Sequence, residues 1–143
     1  MGVGTFKHVP YSEGAGHTAA DLSFQNTSQH PCTVSGFPRL TLYSAAGAVL
    51  PTSVTDVGPA PAAAQTVAPG GWIHSELRFD PHIPGPTEPQ TGPCEPAAAY
   101  LLARLPGDSA FEHVTLPAPE TFCVRGQIDA KPFLAGPASP DGG

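Results

Sequence analysis

Proline and glycine restrict this chain more than any other feature. Its 143 residues include 19 prolines and 16 glycines, well above ordinary usage of roughly 5% and 7%. Proline removes a backbone donor and clashes with the preceding helical turn, so helices of ordinary length have little room. A hydrophobic content of 40% nevertheless exceeds what a disordered chain carries. Short strands punctuated by turns satisfy both facts, and the length suits one domain with a core of its own.

The residue pattern supplies the strands. In His17–Asn26, Ala20, Leu22 and Phe24 alternate with Asp21, Ser23 and Gln25, the period of two of a half-buried strand. Trp72–Phe79 repeats it, with Ile73, Ser75, Leu77 and Phe79 on one side. Val3–Pro10, Cys32–Val34, Arg39–Ser44, Ala98–Leu105, Ala110–Leu116 and Gln127–Phe133 read as further strands. Those containing proline are expected at sheet edges. Turns are expected at Tyr11–Gly16, Asn26–Ser28, Ala45–Ala48, Pro69–Gly71 and Pro106–Ser109, and irregular chain at Val57–Ala64 and Asp80–Pro96. The expectation is an all-β, antiparallel, immunoglobulin-like sandwich of about seven to nine strands. One loop-rich domain would span residues 1–135, and residues 136–143 would form a flexible tail.

Six Lys and Arg stand against 12 Asp and Glu, a net charge of −6. That balance excludes the basic footprint of a nucleic-acid binder. No stretch approaches the ~20 apolar residues of a membrane-spanning helix. Met1–Thr5 lacks the basic and apolar regions of a signal peptide and reads as the interior of a longer protein from which an export signal has been removed.

Three cysteines, Cys32, Cys94 and Cys123, leave one over if two pair, as cysteines of exported proteins do. Cys94 and Cys123 flank the late strand pair and are the expected disulfide. Cys32 is then the odd thiol, its partner lost upstream or absent. A Cys32 nucleophile served by His30 has no third group to orient it.

No catalytic fingerprint is present, neither a nucleophile elbow nor a phosphate or dinucleotide loop. Glu76, Asp80, Glu88, Glu112 and Glu120 are candidate acids for glycosidase work, but nothing singles out two of them. Among six histidines, His74 and His113 lie within strands and could share a metal only if those strands were neighbours; no pair has a recognised metal spacing. Trp72 beside its Pro-Gly-Gly turn, with Phe37, Tyr43 and Tyr100, are the candidate binding-surface aromatics. The function expected is a non-enzymatic binding module without cofactor, its partner a protein or glycan. The alternatives are a structural or anchoring domain of a larger envelope protein, or a histidine-mediated metal binder.

Several segments also carry a resemblance. Asn26-Thr27-Ser28, Cys32-Thr33-Val34 and Gly36-Phe37-Pro38 resemble an NTS…CTL.GYP signature. Ala68-Pro69-Gly70-Gly71 resembles an LAPGG turn, Cys94-Glu95-Pro96 a C+P element, and Pro106-Gly107 part of a PPG…A hairpin. Together, from about Gly14 to Phe133, they resemble the actinobacterial family called domain of unknown function 4232. The resemblance implies an extracytoplasmic β-sandwich, secreted or held at the cell envelope by a lipid anchor. It also implies that the position of Cys32 pairs with a cysteine upstream of the first strand, which this sequence does not have. Arg39 replaces the small or aliphatic residue expected after the proline. The family brings no activity with it.

Overall fold

A computed structural model describes residues 4–8, 17–106 and 111–137. The expected turns at Tyr11–Gly16 and Gly107–Ser109, and residues 138–143 of the expected tail, lie outside the described residues.

The described residues form eleven strands and one tight turn, Cys123–Gly126. The larger sheet runs β1 (Gly4–His8), β2 (Thr18–Gln25), β7 (Trp72–Phe79), β10 (Gln127–Ala130) and β5 (Ser53–Asp56), with β11 (Leu134–Ala135) also paired to β7. The second sheet runs β4 (Arg39–Tyr43), β8 (Ala98–Arg104) and β9 (Glu112–Glu120). A small pair, β3 (Cys32–Val34) and β6 (Gln65–Val67), stands apart from both. The inward residues predicted from alternation form one core: Ala20, Leu22 and Phe24 from β2 and Ile73, Leu77 and Phe79 from β7 meet Leu40, Leu42, Leu101, Ala103, Val114 and Leu116 from the second sheet. Two sheets sharing one buried layer make this a sandwich.

Ser75 is the polar member of the inward row on β7 and is fully buried. Its hydroxyl donates to the carbonyl of Lys131 at 2.7 Å, which satisfies a group that would otherwise cost about 1–3 kcal/mol. Asn26 is likewise buried. Its amide donates to the carbonyls of His30 (2.9 Å) and Val67 (3.0 Å), and its oxygen accepts from the backbone and hydroxyl of Ser28. The expected turn at Asn26–Ser28 is therefore present, the Asn26 side-chain nitrogen engaged rather than exposed.

Three features differ from the sequence expectation. The described residues form eleven strands rather than seven to nine. The sheets are mixed, because β10 runs parallel to β5, with Gln127 opposite Ser53 and Ala130 opposite Asp56. And the last predicted strand is not an edge: β10 lies between β7 and β5, while Pro132 falls in the gap before β11, where it blocks no ladder bond. The cause lies in β5. Ser53, Val54, Thr55 and Asp56 are all exposed or half-exposed, so no apolar alternation marks them, yet they cover the flank of β10. A long chain separation lets β5 and β10 run parallel, which a hairpin forbids.

Between the two sheets, β1 and β9 lie side by side without pairing. The side chain of His8 spans the gap to Glu120, with Nε2 3.0 Å from Oε1.

Candidate binding surface

The outer face of the second sheet is built from three registers. Tyr43 on β4 lies opposite Tyr100 on β8, and His113 on β9 lies opposite Leu102, the next outward residue of β8. Neighbouring strands sit ~4.8 Å apart, and the rings follow that spacing. Tyr43 and Tyr100 stack with centroids 5.1 Å apart and planes 1° from parallel. Tyr100 and His113 stack at 4.5 Å and 21°. Tyr100 is thus sandwiched, its two faces taken by its neighbours, and the column turns ring edges outward rather than faces. The tyrosines are half-buried and His113 is exposed. A tight turn supports one end: Gly47 donates to the carbonyl of Ser44 at 3.0 Å, with φ at 84°, and brings backbone beside the Tyr100 hydroxyl.

Beyond the column, Arg104 of β8 lies 5.8 Å over the ring of exposed Phe111. Arg39 is bound bidentately by Asp56 at 2.8 and 3.1 Å, which raises the guanidinium pKa and lowers that of the carboxyl.

The outer face of the larger sheet is charged. Lys7, Asp21 and Glu76 are register partners across β1, β2 and β7, and Lys131 lies 3.3 Å from Glu76. Burial raises the pKa of Asp21; His74, Lys131 and Lys7 act against that rise and the Glu76 carboxylate adds to it. A shallow groove of about 280 Å³ runs between Glu76, Arg78, Asp129 and Lys131.

The long 80–96 excursion is fastened to the turn at Cys123–Gly126. Cys94 and Cys123 form the predicted disulfide. Glu88, 6% exposed, accepts backbone N–H groups from Gly85 (2.6 Å), Val124 (2.7 Å) and Arg125 (2.9 Å). Val124 and Arg125 are both left-handed, at φ 58° and 57°, a conformation costing about 1–2 kcal/mol for each non-glycine residue. Their amides converge on one carboxylate, which offsets that cost. Burial opposes ionisation of Glu88, but the hydrogen bond from Glu95 and the three backbone donors prevail and hold its pKa at about 2. Glu95 is pushed up by the same bond, by burial and by the Glu88 charge.

The sequence candidates are scattered. Trp72 opens β7 on the outer face of the larger sheet, opposite Gln25, and its carbonyl accepts from Gly136 at 2.6 Å. Tyr100 lies on the other sheet, and Phe37 is half-buried in the loop before β4. His74 and His113 are on different sheets and do not meet; His74 Nδ1 lies 2.9 Å from the carbonyl oxygen of Gly136. Among the described residues no three His, Cys, Asp or Glu side chains are grouped to hold a metal. Cys32 is half-buried and unpaired; its Sγ lies 3.9 Å from the backbone oxygen of His30 rather than against its ring. Four of the candidate acids have structural partners: Glu88 on the turn, Glu120 with His8, Glu76 with Lys131, and Asp80 with His17 at 2.7 Å. Sequence reasoning weighed Tyr100 and His113 separately and missed Arg104 and Phe111. The available signal was the outward parity of Tyr43, Tyr100 and His113 within their strands.

No curated protein and no solved structure matches the chain. A family model described as Domain of unknown function (DUF4232) matches residues 5–134, nearly the whole sandwich, and the chain belongs to that family.

Proposed function

We propose that this domain is a non-enzymatic binding module of the secreted fraction or cell envelope, and that it binds through the outer face of the three-stranded sheet. One observation carries the reading. Tyr43, Tyr100 and His113 form a continuous ring column on an outward face, where its rings do not fill the core. Side chains fixed by stacking lose little further rotamer freedom on binding, which is what makes aromatic residues effective anchors. The structural engagement of four of the five candidate acids also favours binding over catalysis, and the disulfide suits an oxidising compartment.

The test measures retention of the purified chain on envelope material from the cells that make it. Tyr43→Ser with His113→Ser, the fold verified by circular dichroism, is expected to abolish retention. Trp72→Ser, on the opposite face, is expected to preserve it. Retention unaffected by the double variant, or no retention of the parent chain, would refute the reading. Fractionation of those cells checks location: the protein in the cytosol with Cys94 and Cys123 reduced would argue against export.

A further inference from the structure

The chain is acidic overall, with 12 Asp and Glu against 6 Lys and Arg. Its described acids lie off the ring column. Among the described residues, Asp21, Glu76 and Asp129 belong to the larger sheet's outer face, Glu88 and Glu95 to the 80–96 excursion, and Asp80 and Glu120 to histidine pairs. Asp56 reaches the second sheet only to neutralise Arg39. Glu112 is the register partner of inward Ala103 and so has the parity of the core side. Among the described residues, the aromatic and unpaired charged groups left on the face are the column, Phe111 and Arg104, and Arg104 makes no ion pair with any described residue.

Ring geometry adds to this polarity. An aromatic ring is negative on its faces and positive at its edge. In the column the faces of Tyr100 are consumed by stacking, so what projects is edge, together with the tyrosine hydroxyls and an imidazole. Edges, hydroxyls, imidazole and a guanidinium make a small anion-compatible surface on an otherwise acidic protein.

We infer that the occupant of this face is an acidic polysaccharide whose charge is carried by uronate carboxylates; the inference rests on the binding-face reading above. The planar carboxylate suits the fork of Arg104, and sugar hydroxyls suit the tyrosine hydroxyls and the imidazole. An acidic peptide fits less well. The column lies on β4, β8 and β9 where their backbones pair with one another, so the middle of the face offers no free strand edge for a peptide to extend. Nucleic acid needs a run of cations, and among the described residues of this face one arginine, Arg104, is outside an ion pair.

The experiment titrates the ¹³C,¹⁵N-labelled chain with short oligogalacturonate and follows the aromatic resonances of Tyr43, Tyr100 and His113. Parallel titrations use neutral malto-oligosaccharide and poly-L-glutamate. Oligogalacturonate alone is expected to shift these resonances. Affinity should fall with added salt and by about three- to fivefold in Arg104→Gln, the scale of one exposed charge contact. Tyr43→Phe keeps the stack while removing a hydroxyl and is expected to weaken binding without altering the fold. Equal shifts with the neutral sugar, or the same shifts with poly-L-glutamate, would overturn the ligand class and leave the binding face standing. No shifts with oligogalacturonate, or shifts confined to Trp72 and its neighbours, would overturn the proposal. If envelope retention still depended on Tyr43 and His113, the face would stand without it.

Discussion

Glu88 is the most informative single position in this fold. Its carboxylate is the shared acceptor for Gly85, Val124 and Arg125, and it carries two left-handed residues with it. Glu88→Gln keeps the shape and removes the charge. A glutamine has one carbonyl oxygen where three N–H groups point, and its own N–H₂ meets the remaining donors. The loss of charge-assisted bonds at a buried acceptor is worth about 2–3 kcal/mol. The lower end is expected, because the cleft of about 480 Å³ along residues 87–96 admits water that screens the site. The melting temperature should fall by about 5–10 °C.

The pH dependence separates this account from a packing defect. The folded pKa of Glu88 is depressed from 4.5 to about 2. Its stabilisation is therefore fully present above 4.5 and lost as pH falls from there through about 2. Glu95 is raised and works in the opposite sense: its contribution is full below 4.5 and lost as pH rises through its raised value. Urea denaturation read through Trp72, the single tryptophan, measures both chains. The gap between parent and Glu88→Gln should be largest between pH 4.5 and the raised value of Glu95, smaller above it as the Glu95 proton is lost, and close to zero at about pH 2. A gap that stays constant across that range would refute the reasoning, because it would show that the substitution acts through shape rather than charge.

Three further outcomes test the fold. Gly126 has φ 74°, and a Cβ there would fall on the carbonyl oxygen of Pro51, so Gly126→Ala should destabilise by more than about 3 kcal/mol or prevent folding, as read by thermal melting. Opening the Cys94–Cys123 bond, which spans 29 residues, by Cys94→Ser with Cys123→Ser should cost about 3.6 kcal/mol in the chain-entropy account; an unchanged urea midpoint would show that the Glu88 clasp alone holds the excursion. Asn26→Asp removes two buried amide donations, to His30 and Val67, and places a charge at a fully buried position; a loss of about 3 kcal/mol or more is expected on urea titration.

Much of the architecture was legible where burial imposes a period. The inward rows of β2 and β7 were assigned residue by residue because one side of each strand is core and the other is not. The disulfide was legible from cysteine count and loop placement. β5 was not, because a short covering strand with no buried residue leaves no hydrophobic signature. Nor was the interior position of β10: its proline suggested an edge, but a proline just beyond the last paired residue removes no ladder bond. The parallel pairing of β5 with β10 depends on a contact between distant segments, which local pattern does not encode.

The candidate surface was illegible for a different reason. Tyr43 and Tyr100 stand out as candidate aromatics and His113 as a candidate ligand, but nothing in RLTLY, AAYLLAR or EHVTLPAPE joins the three. Their meaning comes from strand order and register together. With β8 between β4 and β9, Tyr43 opposite Tyr100 and Leu102 opposite His113, three outward rings become a column; a slip of one residue would turn them inward. Among the described residues, the lack of unpaired acids on the face is a property of subtraction, visible only once Glu112 is assigned the core-side parity and Asp56 is assigned to Arg39. Net charge counted over the whole chain argues against nucleic acid as a partner. Among the described residues, the fold distributes that charge onto the other sheet, the long excursion and paired positions, and the one carboxylate that reaches the ring-bearing face, Asp56, is bound to Arg39.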